Sequence, residues 1–147
     1  MAASVAIVGG GYSGAAAAVQ LARAARSPMA ITIIEPRAEV GRGLAYSTLD
    51  PDHRLNGPLD NHLVDPSVPD EMLRWCAQRR IFEHDPEVRG SNGALYVRRG
   101  DFGAHVAEVV RATPSIRHLR ALATGIRKAG TGFEVLAGDA ALSADCV

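Results

Sequence analysis

The chain has 147 residues, 47% of them hydrophobic, which is enough to bury one ordinary core and fits a soluble globular domain. Its 16 basic and 16 acidic side chains cancel at a pI near 7, so no net field draws in nucleic acid or an anionic membrane, and neither partner is expected. Cys76 and Cys146, the only cysteines, form no CxxC pair or zinc-type cluster, which makes a reduced, cytoplasmic setting the default.

Residues 1–22 carry no charge, but no basic stretch precedes them, and Gly9, Gly10, Gly11 and Gly14 break the apolar run, against a signal peptide or membrane span. Ser4–Val8 reads instead as a buried parallel strand that ends on three glycines. Tyr12–Arg26 reads as a helix: it is alanine-rich, its first charges are Arg23 and Arg26, and Ser27-Pro28 stops it. Ala30–Ile34 is a second β-branched strand closed by Glu35-Pro36.

From Pro36 to Pro69 the texture changes: prolines, glycines and Asp/Asn clusters predict a long loop, and long loops inside compact domains are usually functional. A helix is expected from Pro69-Asp70-Glu71 through Met72, Trp75, Cys76 and Arg79, and another over about Asp101–Ala112. After Pro114 the pattern predicts a strand over Ser115–Leu122, then a meander: a segment through Lys128, a Gly130-Thr131-Gly132 turn, Phe133–Ala137, a Gly138-Asp139 turn and Leu142–Val147. The chain stops on an apolar segment, so continuation past Val147 is expected, and 1–147 reads as a single partial domain. The fold class is α/β, with a Rossmann-like parallel sheet ordered outward from the first strand.

Gly9-Gly10-Gly11-Tyr12-Ser13-Gly14 satisfies GxGxxG, and it lies between a predicted strand and a predicted helix, the context its chemistry requires. Gly9 permits the tight turn, Gly11 lets backbone approach a pyrophosphate, and Gly14 lets the helix pack close. The helix N-terminus offers free N–H groups and about half a positive charge to the phosphates. Twenty residues separate Gly14 from Glu35, which places that carboxylate at the end of the second strand to accept from ribose hydroxyls and to repel a 2′-phosphate, with Arg37 nearby acting in the opposite sense. These residues point to a dinucleotide without choosing between FAD and NAD.

The runs Val5–Gly14, Gly41-Arg42-Gly43-Leu44-Ala45-Tyr46-Ser47-Thr48 and Leu55-Asn56, with Tyr96-Val97-Arg98-Arg99-Gly100-Asp101-Phe102-Gly103, resemble the FAD/NAD(P)-binding proteins grouped with flavin-dependent urate hydroxylase. These are distant relatives of the lysine and ornithine N-monooxygenases. The resemblance covers nearly the whole chain and implies an FAD site: the glycine turn on the pyrophosphate, Glu35 on the ribose, and the 41–43 loop along the cofactor. There Arg42 would offer its guanidinium to a phosphate oxygen. Arg98 departs from the family's usual proline, and His105 from a common aromatic residue.

The expected cofactor contacts are Gly9, Gly11, Tyr12, Ser13, Gly14, Glu35, Pro36, Arg37, Arg42, Gly43, Asn56, Arg99 and Ala123, with no metal site and no identified catalytic acid or base. The resemblance further implies NAD(P)H as co-substrate of a monooxygenase-like oxidoreductase acting on a small molecule. An NAD(H)-dependent dehydrogenase domain and a non-catalytic nucleotide-binding module are the competing readings. The five histidines are scattered and are expected to be solvated or locally hydrogen-bonded; Asp50, Asp52, Asp60 and Asp65 suit turns, and Trp75 suits the core.

Overall fold

Val5, Ile7, Ile31 and Ile33 lie on one face of a parallel sheet and Ala6 and Ile34 on the other, as strand alternation dictates. In the computed structural model, which describes residues 3–147, β1 (Ala3–Val8) pairs with β2 (Met29–Ile34), and β2 pairs with β3 (Ile116–Leu119). Both pairings are parallel, and the order β1-β2-β3 runs outward from the first strand as expected.

The helices cover one face. α1 (Tyr12–Ala24) buries Ala15, Ala16, Ala18 and Val19, small residues that let its axis lie near the sheet. α4 (Arg99–Arg111) packs beside it through Phe102, Val106, Val109 and Val110, and Ile31 and Ile33 close the same cluster from below. The opposite face is covered by an antiparallel meander, β4 (Ala123–Ala129), β5 (Gly132–Ala137) and β6 (Ala140–Ala144). Val135, Ala137 and Ala144 of the meander meet Ala6 and Ile34 in a second core. The result is three layers with the parallel sheet in the middle.

The helix expected from Pro69-Asp70-Glu71 through Arg79 is α2 (Glu71–Gln78), and a short α3 (Ile81–His84) that was not anticipated follows it, separated because Arg80 takes the left-handed conformation at φ 56° and ends the first run. One sequence expectation needs correction: the final segment is not one strand. It leaves the meander after Ala144, and Cys146 then bridges Val5 in parallel, with the Ala6 N–H donating to the Cys146 carbonyl at 2.9 Å. Asp145 makes this crossing possible, its carboxylate accepting from both the amide and the hydroxyl of Ser4.

The 36–69 loop holds a single 3-10 turn (Leu59–Asn61) and little other regular structure. It is nevertheless tied down: Val40, Leu55, Leu59 and Val64 are buried in the helical-side core.

Candidate dinucleotide site

Parallel strands point their C-terminal ends the same way, so the Gly9 turn after β1 and Glu35 after β2 arrive side by side. The Gly9 amide donates to the Ile34 carbonyl at 2.9 Å, extending the ladder by one residue before the chain turns at φ 98°. Gly14 must lack a side chain: a Cβ there would stand 2.1 Å from the Gly9 carbonyl oxygen. Gly11 differs, since its Cβ would meet only the Gly43 Cα, at 3.7 Å. The fold therefore needs no glycine at 11 for its own packing, while close approach of a ligand to the backbone there does.

Gly11 is the N-cap of α1, and no side chain caps that end; the first amide bonded back into the helix is that of Ala15, on the Gly11 carbonyl at 3.0 Å. The preceding amides are the donors that an anion at a helix N-terminus uses. This fits a pyrophosphate.

Glu35 is 4% exposed. Its Oε2 accepts from the Gly10 amide at 2.9 Å, and its Oε1 accepts from the Arg37 amide at 3.0 Å and from Arg37 Nη1 at 3.3 Å. Burial pushes the carboxyl up, but the amides of Arg37 and Gly10 and the Arg37 guanidinium outweigh it and hold the group below the usual carboxylate range. A carboxylate has roughly four acceptor positions. Three are used, so Oε2 keeps one for a ribose hydroxyl, and the half-exposed Arg37 guanidinium frees a second if it swings out. His118 Nε2 lies 2.9 Å from the Glu35 carbonyl and steadies the backbone behind it.

The Gly41-Arg42-Gly43 loop lies over the turn. The Gly41 amide donates to the Gly10 carbonyl at 2.7 Å, and a Cβ on Gly43 would come within 3.0 Å of the Gly11 Cα. Gly41 takes φ 101° with Ala107 of α4 directly behind it, so a side chain is blocked on both counts. Arg42 does not point freely toward a phosphate. Its Nε sits 2.6 Å from Glu39 Oε2, too oblique for a hydrogen bond, and its Nη1 donates to the Gly100 carbonyl at 3.2 Å.

The remaining expected contacts spread out. Tyr12 turns inward, its hydroxyl donating to the Leu63 carbonyl at 2.5 Å and its ring packing on Tyr46 and Phe102, so only its amide is offered to a ligand. Ser13 is exposed on the first turn of α1, and Pro36 and Arg37 follow Glu35 directly. Asn56 is exposed and makes no hydrogen bond among the described residues. Arg99 opens α4, its Nε donating to the Arg54 carbonyl at 2.9 Å. Ala123 begins β4 and meets the parallel sheet through the second core.

Sequence reading passed over Gly10 as a filler position of the motif, although its amide fixes Glu35. It also passed over Glu39 and His118. The histidine expectation holds for His53, His62 and His118, which have local partners, and fails for His105, 2% exposed on the apolar face of α4 with no partner for Nδ1. Asp50 and Asp65 do make the expected turns, accepting from the amides of Asp52 and Ser67. No cluster of metal-ligating side chains occurs among the described residues, and no described helix is long and apolar enough to cross a membrane.

Residues 6–147 match the family described as FAD-NAD(P)-binding. No curated protein matches the chain. Among solved structures it is similar to a flavin-containing monooxygenase from Stenotrophomonas maltophilia, at 20% identity and a TM-score of 0.64 over 99% of this chain and 37% of that one. It is also similar to CtdE, solved in complex with FAD and a substrate, at 15% identity and a TM-score of 0.63 over 98% of this chain and 36% of that one. A putative thioredoxin reductase from Bacillus anthracis follows at 17% identity and a TM-score of 0.52, covering 99% of this chain and 34% of the other. The chain thus spans a little over a third of the length of these proteins, and at such identities the likeness is one of fold.

Proposed function

This chain belongs to the FAD-NAD(P)-binding family, and from that premise we propose that it is the FAD-binding portion of a flavin-dependent oxidoreductase, monooxygenase-like and reduced by NAD(P)H. One observation carries the reading: an uncapped helix N-terminus, a glycine at 11 that the fold does not itself need, and a buried carboxylate at 35 with an acceptor to spare all meet at the ends of β1 and β2. The amides after Gly11 hold the pyrophosphate, and Glu35 takes a ribose hydroxyl. Gly43 lets the covering loop lie close without a side chain between loop and ligand, and Arg42 lends positive charge once released from Glu39. FAD, when bound, supplies two-electron redox chemistry for which side chains have no equivalent.

The choice of FAD over NAD rests on the resemblance carried by Gly41–Thr48. The reading takes a small-molecule substrate, a cytoplasmic setting, and no nucleic-acid or membrane partner. The test is the visible spectrum of the purified protein, with the chromophore released by denaturation and identified, followed by anaerobic titration with NADH and NADPH. Released FAD, and bleaching by one of the two nicotinamides, is the expected result. A colourless protein that binds NAD(H) would replace the proposal with a dehydrogenase domain, and a tightly held flavin that neither reductant bleaches in the full-length protein would make the chain a non-catalytic nucleotide binder.

A further inference from the structure

The loop that covers the glycine turn carries one cation. Gly41–Thr48 holds no Lys or Arg besides Arg42, and both neighbours of that residue touch the turn. The Gly41 amide donates to the Gly10 carbonyl at 2.7 Å, and Gly43 lies so close to Gly11 that a Cβ on it would come within 3.0 Å of the Gly11 Cα. Arg42 is thus anchored beside the amides that follow Gly11, and its side chain is long enough to bring a guanidinium to an anion held there.

The side chain is instead turned toward α4 and engaged with two acceptors. Glu39 Oε2 stands 2.6 Å from Nε, and the Gly100 carbonyl on the first turn of α4 accepts from Nη1 at 3.2 Å. Nε is buried and makes no hydrogen bond, so a phosphate gains the full guanidinium only when the side chain swings out. Arg37 is occupied in the same way, on Glu35 at 3.3 Å. Both cations of residues 36–48 are therefore paired with carboxylates, and this stretch offers a pyrophosphate no free positive charge until Arg42 is let go.

The hold on Arg42 is one that phosphate can break. Charge attracts Glu39 to Nε without a directed bond between them, and the carboxylate is half exposed, which keeps the pair weak. Phosphate oxygens offer the same charge together with the paired acceptors that a guanidinium fork fits. Glu39 is not stranded by the exchange: its Oε1 already lies 3.9 Å from Nη2 of the exposed Arg111, and water reaches it.

We propose that Glu39 is a positioning residue for the cofactor, a carboxylate that holds Arg42 away from the pyrophosphate position and releases it only to a ligand anionic enough to take its place. Glu39 then lowers affinity for nucleoside diphosphates and leaves affinity for an uncharged nucleoside untouched. The proposal rests on the reading of the glycine turn as the pyrophosphate site.

The experiment is calorimetric titration of the full-length protein, stripped of flavin, with FAD, ADP and adenosine. Glu39→Gln keeps the shape of the side chain, so a role in packing alone would leave all three affinities as they are. It should tighten FAD and ADP about threefold at low salt, with adenosine unchanged and the gain shrinking toward about 1 M salt. Glu39→Ala should give the same gain, and thermal melts verify that each variant is folded. Arg42→Met should weaken FAD and ADP about tenfold, and adding Glu39→Gln to it should change nothing further, since no guanidinium is left to release. FAD and ADP affinity unchanged in the folded Glu39 variants, or a gain that extends to adenosine, would overturn the proposal and leave the reading of the turn intact. So would a gain that persists beside Arg42→Met, which would make Glu39 a repelling charge acting on its own. A parent protein that binds neither FAD nor ADP would overturn both.

Discussion

The Gly10 amide donates to Glu35 Oε2 at 2.9 Å, joining the turn after β1 to the end of β2 through one buried carboxylate. The bond is structural, and on the proposed reading the same oxygen, with an acceptor position left, also takes the ribose hydroxyl. Replacing Glu35 by Gln sets an NH₂ group against one of the amide donors and should cost about 1–3 kcal/mol of stability at neutral pH. The pH dependence follows from the direction of the shift. A carboxyl held below its unfolded value in the folded state adds stability that is fully present above the unfolded value and lost as pH falls through the folded one. The gap between parent and variant in urea melts should therefore be widest at neutral pH and close in acid. A gap that stays constant with pH would mean that the charge of Glu35 contributes nothing.

Gly11 and Gly14 are three residues apart in one motif and should respond oppositely. At Gly14 a methyl group would lie 2.1 Å from the Gly9 carbonyl oxygen, a backbone atom with no freedom to move. Gly14→Ala should lose about 3 kcal/mol of stability, at the upper end for overpacking. At Gly11, with φ −71° and open space toward Gly43, alanine costs under about 1 kcal/mol as an N-cap change. Flavin content after purification should nevertheless fall sharply in Gly11→Ala, because on the proposed reading the methyl group stands where the pyrophosphate would approach. Full flavin occupancy in that variant would place the phosphates elsewhere.

The glycine turn and Glu35 could be read from sequence because each leaves a local mark: an apolar run into three glycines, an alanine-rich helix, and an acid at the right distance. The bonds that join these parts left none: the Gly10 amide on Glu35 and the Gly41 amide on the Gly10 carbonyl use main-chain donors that every residue but proline carries, so the glycines were visible and their partners were not. Arg80 was equally silent, since a non-glycine residue at φ 56° carries no sequence signal of its own. His105 was within reach: it stands one turn from Phe102 and Val109 on the buried face of α4, a spacing that assigns it to the core.

The two cysteines should be chemically unequal. Cys76 has no exposed surface, and burial, helped by the charge of Asp101 and opposed by Arg79, pushes its thiol up to about 12. Cys146 is exposed. A thiol-specific reagent at neutral pH should label Cys146 quickly and Cys76 only after denaturation, because the thiolate is the reactive form. Peptide mapping of the labelled protein checks this. Equal labelling of both in the native state would show that α2 opens away from α4.

Arg54 and Asp85 are 31 residues apart and meet as a fork, Nη1 on Oδ2 at 2.9 Å and Nη2 on Oδ1 at 2.8 Å. Their side chains are 18% and 4% exposed, and Arg98 adds a second cation to Asp85 at 3.5 Å. The fork clamps the end of α3 to the strand-like stretch around Arg54, which also bridges Arg98 at the start of α4. Asp85→Asn leaves a guanidinium with its main partner gone, and should cost about 3 kcal/mol. Arg54 holds the Asp85 carboxyl below its ordinary value against the opposing effect of burial, so this stability is present above the unfolded value and lost as pH falls through the folded one. Replacing both residues together, as Arg54→Met with Asp85→Leu, should recover part of the single-variant loss, since no charge is then left buried and unpaired. Chemical denaturation of Arg54→Met, Asp85→Leu and the double variant completes the cycle, and a double variant no more stable than Asp85→Leu would show that the geometry of the fork, rather than relief of a stranded charge, holds this corner of the fold.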